Sequence, residues 1–260
     1  MIFSLAFGCA SAVFILCAPC RAQDFGAFKG AVFATSVTTH ADLGTYATEA
    51  QQDGMSVPPV QGTAGHTTMG GISVCEFDSS ANPEMEFLGL TSNDSIPTIA
   101  FNAHEFRLVA PYDNISINRT CRLVSAYYHE AAHFEYALFF NSWCESDPAA
   151  CNAYKACVGG LNKYKDGASP CDEQYAYATE AAKLAEEICH VCNKADMPGL
   201  KKTLITGKLQ KLQDEANSRC DAASADCMAA ATCAQINPPL PPDTPACGGT
   251  HTTCNDCPPP

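Results

Sequence analysis

The sequence predicts an α+β fold in which a small N-terminal sheet packs on a mainly helical, disulfide-stapled bundle. Short runs rich in β-branched and aromatic residues lie between positions 69 and 110 and predict the strands. Helical spacing and helix-start signals follow Asn118 and predict the bundle. The 260 residues include 17 cysteines, which is enough for several disulfides.

The N-terminus resembles a targeting segment, because it is almost entirely apolar and no acidic residue precedes Asp24. A stretch of this kind that ends in Cys20-Arg21-Ala22 predicts a secretory signal peptide, residues 1–22, cleaved after Ala22. A membrane-anchoring helix is the alternative, although the stretch is short for a full span. We therefore expect a secreted protein that is not inserted stably in a membrane once the signal is removed.

The number of cysteines fits export. Cys9, Cys17 and Cys20 lie in the predicted signal peptide, so 14 of the 17 cysteines remain after its removal. An even number in an exported chain predicts up to seven disulfides. Cys189 and Cys192 form a Cys-x-x-Cys pair, which we interpret as two structural disulfide partners rather than a redox pair or half a zinc site.

One spacing of cysteines occurs twice. Intervals of seven and six residues separate the members of both triplets: Cys144, Cys151 and Cys157, and Cys220, Cys227 and Cys233. The repeat predicts two similarly stapled helical turns rather than a metal cluster, because oxidised cysteines do not bind zinc.

The charge balance excludes one class of partner. The chain has 15 Lys and Arg against 28 Asp and Glu, a net charge of −13. A nucleic-acid-binding protein needs a basic face to neutralise phosphates, so we expect no nucleic-acid partner.

The predicted strands are short and bounded by Asn, Ser, Asp and Pro. They cover residues 71–77, 86–90, 97–101 and 105–109. Segment 23–67 has no strong periodicity and is predicted as loop, with one further strand near residues 30–38.

Start signals place three helices. The first is capped by Asn118 or Thr120 and runs to about position 142. Asp147-Pro148 opens the second. Ser169-Pro-Cys-Asp172 opens the third, which runs to about position 190, and Asp172 is interpreted as the acid of a capping box.

Four leucines predict a fourth helix, which Gly207 weakens: Leu200, Leu204, Leu209 and Leu212. Prolines dominate from position 236 on. We therefore predict one domain over residues 23–235, followed by an extended Pro/Cys-rich tail over residues 236–260 with local disulfides.

The motif that indicates chemistry is His129-Glu130-Ala131-Ala132-His133 in the first helix. Residues four apart lie on one helix face, so two imidazoles can reach one metal ion, and the ion they suit best is Zn²⁺. Glu130 projects beside them and can accept a proton from a metal-bound water. The alternative is a solvated helix face that carries two histidines, but the flanking residues are apolar enough to predict burial.

A zinc site needs a third protein ligand. A histidine six residues after His133 would extend the motif in the metzincin manner, but that residue is Phe139. A glutamate of the third helix is the alternative, and Glu173 and Glu180 share one helix face. Both could instead form an acidic face near the helix start, which the helix dipole favours.

The His129–His133 helix, followed by a helix with Glu173-Gln-Tyr-Ala176, resembles the gluzincin metallopeptidases and their zincin-like fold. The resemblance implies that His129, His133 and Glu173 are the zinc ligands. It also implies that the strand at residues 96–102 lies beside the site and pairs with an extended substrate. The chain departs from the pattern at Tyr177, where an Asp often follows the Ala.

The resemblance implies zinc-dependent hydrolysis of a peptide or protein substrate, with Glu130 as the general base and proton carrier. Four residues remain open as stabilisers of the oxyanion: Tyr175, Tyr177, His190 and His104. The competing class is a non-enzymatic secreted protein, disulfide-rich and structural or binding.

Overall fold

A computed structural model describes residues 41–63, 66–77, 87–88, 98–102, 115–162, 168–249 and 251–259. The predicted signal peptide, the predicted strands at residues 30–38 and 105–109, and His104 lie outside these ranges. Within them the fold is α+β, as predicted. None of the helices in these ranges combines the length and apolar character needed to span a membrane.

The sheet has five described strands. They are β1 (Val60–Thr63), β2 (His66–Met69), β3 (Ile72–Phe77), β4 (Phe87–Leu88) and β5 (Thr98–Asn102), in the order β1-β2-β3-β5-β4. β1, β2 and β3 form an antiparallel meander, β5 pairs parallel with β3, and β4 pairs antiparallel with β5. The predicted strands at 71–77, 86–90 and 97–101 are confirmed where the structure describes them, at Ile72–Phe77, Phe87–Leu88 and residues 98–101.

β5 lies inside the described sheet. β3 covers one side of β5, and β4 pairs with Ala100 and Phe101 on the other. The outer position of the described sheet on this side belongs to β4.

Five helices carry most of the described structure. They are α1 (Ala41–Gln52), α2 (Ile115–Ser146), α3 (Pro148–Gly160), α4 (Pro170–Asn193) and α5 (Gly199–Ala234). α1 lies in the segment predicted as loop, so that prediction is wrong there. Its buried face consists of Leu43, Tyr46, Ala47 and Ala50, which follow helical spacing, but Gly44 and Thr45 between them are weak helix formers.

The predicted caps succeed for two helices and fail for one. The Asp147 side chain accepts from the Ala150 backbone N–H at the start of α3, and the Ser169 hydroxyl accepts from the Asp172 backbone N–H at the start of α4. α2 instead begins at Ile115, before both predicted caps. The Thr120 hydroxyl donates to backbone carbonyl groups of the preceding turn, as threonine often does inside a helix.

The fourth predicted helix is found as α5, which runs unbroken through Gly207. Its buried face carries Leu209 and Leu212, whereas Leu200 and Leu204 are exposed. The four leucines therefore do not share one face.

α2 and α4 pack antiparallel, and the buried apolar side chains form two separate clusters. One cluster joins α1 and the sheet to the first half of α2 and the second half of α4. The other joins the second half of α2 to α3 and the first half of α4. His129 and His133 lie on α2 between the two clusters, where apolar packing surrounds a polar centre.

Six disulfides connect the described residues: Cys144–Cys151, Cys157–Cys233, Cys171–Cys227, Cys189–Cys257, Cys192–Cys254 and Cys220–Cys247. Cys189 and Cys192 are structural partners, as predicted. Disulfides of this number are typical of proteins from oxidising compartments.

The pairing corrects two predictions. The repeated triplets are not stapled alike, because only Cys144 and Cys151 pair within a triplet and Cys157–Cys233 joins one triplet to the other. The disulfides of the tail are not local either, since its cysteines bond to α4 and α5. Cys121 is a buried free thiol.

Candidate metal centre

His129 and His133 are brought together as their spacing predicts. Their Nε2 atoms lie 3.1 Å apart, with the two rings edge to face. His133 is 8% exposed and Glu130 is 6% exposed. Because their ligand atoms lie within 4.8 Å of one another, His129, Glu130 and His133 form a group that could hold a metal ion.

Carboxylates of α4 contact the other nitrogen of each ring. The Nδ1 atom of His133 lies 2.7 Å from Oδ1 of Asp172, and Nδ1 of His129 lies 3.2 Å from Oε2 of Glu180. A carboxylate accepts hydrogen bonds and cannot donate them when ionised, so each contact favours a proton on Nδ1. The Nε2 atoms are thereby turned toward each other.

Glu130 contributes a carboxyl group to the same buried space. Its Oε2 is buried and has no hydrogen-bond partner among the described residues. Burial raises the pKa of this carboxyl, and the two histidines oppose the shift. A buried polar atom without a partner is costly, which is consistent with a further group belonging at this point.

The two candidate third ligands lie on different sides of His129. Oε2 of Glu173 is 3.9 Å from Nε2 of His129, on the side where the two rings converge. Glu180 contacts Nδ1 and also accepts from the hydroxyl of Ser125. Of the two carboxylates, only Glu173 is shown close to an inward-facing nitrogen.

Negative charge dominates the surroundings of His133. Burial alone would lower the pKa of this imidazole, but the carboxylates of Asp172, Glu130 and Glu173 outweigh it and raise the pKa to about 10. An excess of carboxylates around two imidazoles is the electrostatic setting in which a cation is stabilised.

The donor set fits zinc in type and spacing. Tetrahedral zinc with Zn–N bonds of 2.0–2.1 Å separates two nitrogens by about 3.3 Å and places a carboxylate oxygen about 3.4 Å from each of them. The separation of the Nε2 atoms is 3.1 Å, and Glu173 lies 3.9 Å from the nearer one. The carboxylate of Glu173 would have to move closer to both rings to complete the set.

The predicted oxyanion candidates have different surroundings. The hydroxyl of Tyr175 donates to Glu135, and His190 contacts Ser56. Tyr177 alone among the described candidates is shown against the site, with its ring 4.4 Å from that of His129. Its hydroxyl accepts from Arg219, while burial raises the pKa of Tyr177 to about 12.

Sequence reasoning missed the part played by Asp172. The capping-box assignment is half right, because the Ser169 cap is present. The carboxylate of Asp172, however, contacts His133. One signal in the sequence could have indicated this contact. Asp172 directly precedes Glu173 in the first turn of α4, and α4 must pack on α2 if Glu173 is to reach the histidines.

Comparison of the chain with known protein families, with curated protein sequences and with solved structures found no match.

Proposed function

We propose that the protein is a secreted zinc metallopeptidase with a zincin-like fold, in which His129, His133 and Glu173 hold the ion. The observation that carries the proposal is the convergence of the two Nε2 atoms at 3.1 Å beside Oε2 of Glu130, which has no partner among the described residues. Two neutral imidazoles and a carboxylate, with one position left for water, are the ligand set of catalytic zinc sites.

The metal ligands and Glu130 would have separate roles in the reaction. Bound zinc would supply Lewis acidity, activating a water and polarising the scissile carbonyl. Oε2 of Glu130 accepts the proton of the attacking water, and the same carboxyl then donates it to the nitrogen of the leaving amine. Ala131 packs against one core cluster and Ala132 lies in the other, and their small side chains let α2 approach its neighbours closely.

Replacement of the base tests this function. Glu130→Gln keeps the shape of the side chain but removes its basicity, so we expect full zinc content with peptidase activity lowered by roughly 10²–10⁴-fold. The measurements are zinc content by mass spectrometry and cleavage of a quenched fluorescent peptide library. Glu145→Gln is the matched control, since Glu145 is an exposed glutamate of the same helix.

Two outcomes would contradict the proposal. If Glu130→Gln cleaved as fast as the parent chain, the mechanism would be wrong. If the parent chain bound no zinc and cleaved nothing, the competing class would apply, a non-enzymatic disulfide-rich secreted protein. The six disulfides are the observation that favours this alternative, because they are independent of any metal.

A further inference from the structure

The metal ligands proposed above are themselves held by other side chains. We infer that Asp172 and Glu180 are positioning residues, which fix the ring orientation and the Nδ1-protonated tautomer of His133 and His129. The inference rests on the proposed function, because it takes the Nε2 atoms as the zinc-binding atoms. It assigns to both acids a role that neither the motif nor its spacing indicates.

Asp172 is held in place from its own helix. It stands in the first turn of α4, where its backbone N–H donates to the hydroxyl of Ser169 at 3.4 Å. Its carboxylate then reaches across to Nδ1 of His133 at 2.7 Å, a distance typical of strong, charge-assisted hydrogen bonds. The start of α4 therefore fixes the position of Asp172, and Asp172 fixes the orientation of the His133 ring.

Glu180 is held from the opposite helix. One carboxylate oxygen accepts from the hydroxyl of Ser125, and the other lies 3.2 Å from Nδ1 of His129. Ser125 is one helical turn before His129 on α2, so one helix supplies both the ligand and the anchor of its partner. Glu180 is 7% exposed, and both of its oxygens have partners in this arrangement.

The two contacts have a common chemical consequence. A neutral imidazole can carry its proton on either nitrogen, and only the nitrogen without it can bind a metal. An ionised carboxylate at Nδ1 holds the proton there and leaves the Nε2 lone pair directed at the centre. Tyr177 occupies the place where the gluzincins, which the sequence resembles, often have an Asp, and we assign the positioning role to Asp172 and Glu180 instead.

Zinc affinity provides the first test, measured on the full mature chain by competition with a chelator. Asp172→Asn and Glu180→Gln keep the size of each side chain but weaken the hold on Nδ1, so we expect zinc affinity to fall by about 10- to 100-fold. Glu173→Gln should cost more, because it removes a ligand. Glu186→Gln, an exposed glutamate of α4 paired with Lys183, should leave affinity unchanged.

A second readout separates positioning from a general loss of structure. In nitrogen-15 NMR spectra of the zinc-loaded chain, each ligand histidine should show an Nδ1–H proton that exchanges slowly with water. Asp172→Asn should change only the signal of His133, and Glu180→Gln only that of His129. Ser125→Ala should shift the His129 signal in the same direction as Glu180→Gln, because it releases one oxygen of that carboxylate.

The outcomes distinguish this inference from the proposed function. If the parent chain binds zinc and cleaves peptides but both variants keep its zinc affinity and both Nδ1–H signals, the positioning roles are wrong and the peptidase stands. If the parent chain takes up no zinc, both proposals are overturned.

Discussion

At the scale of single residues, the carboxylates of the candidate centre differ in the imidazole nitrogen that each one contacts. Asp172 and Glu180 contact Nδ1 atoms, whereas Glu173 approaches an Nε2 atom. Such a division cannot be predicted from spacing, since Glu173 and Glu180 share a helix face. It depends on how far α4 is displaced along α2, and the sequence contains no direct measure of that displacement.

The buried thiol of Cys121 gives a prediction at the same scale. Burial raises the pKa of this thiol to about 12, although nearby Lys208 opposes the shift. At pH 8 the folded protein therefore has almost no thiolate at this position, whereas an unfolded chain with a thiol pKa of about 8.5 has a substantial fraction. We expect iodoacetamide to modify Cys121 only in denaturant, as measured by peptide mass spectrometry. Modification of the native protein at the rate of an exposed thiol would contradict the described burial.

At the scale of elements, helix-cap signals predict where α3 and α4 begin, whereas α1 is not predicted. α3 and α4 begin at their predicted caps because a side-chain oxygen satisfies a free backbone N–H there. α1 escapes prediction because Gly44, Thr45 and Thr48 lower the helix propensity of its sequence. α5 passes through Gly207 because packing against α4 outweighs the cost of one glycine.

Gly207 provides a test of that balance. A Cβ placed on this residue meets nothing within 4 Å, so Gly207→Ala should stabilise α5 by about 0.5–1 kcal/mol. The measurement is the free energy of unfolding in urea.

Gly70 is the matched control for the same substitution. It has φ +59° in the turn between β2 and β3, and an added Cβ would collide with the hydroxyl of Tyr127. Gly70→Ala should therefore destabilise the protein by about 1–3 kcal/mol. Equal effects of the two substitutions would argue against the local conformations described here.

At the scale of the whole molecule, the disulfides join parts of the chain that no spacing rule connects. The tail is bonded to α4 by Cys189–Cys257 and Cys192–Cys254 and to α5 by Cys220–Cys247. Its backbone also contacts α5, where Gln210 donates to the carbonyl of Thr252. The number of cysteines predicted cross-linking, but the pairing depends on which helices meet.

Two disulfides of different span test how this network stabilises the fold. Cys157–Cys233 closes a segment of 76 residues and Cys144–Cys151 one of seven. If the main effect is on the entropy of the unfolded chain, replacing the first pair by serines should cost about 4–5 kcal/mol and the second about 2–3 kcal/mol. Urea unfolding of the two double variants measures the difference. A larger loss for the short span would contradict the entropic explanation.

X-ray absorption at the zinc edge of the zinc-loaded protein tests the proposed ligands His129, His133 and Glu173. We predict two imidazole nitrogens at about 2.0–2.1 Å together with oxygen ligands, and loss of one oxygen ligand or of the zinc in Glu173→Gln. A spectrum with sulfur at about 2.3 Å, or one without imidazole, would place the ion elsewhere and overturn the proposed site.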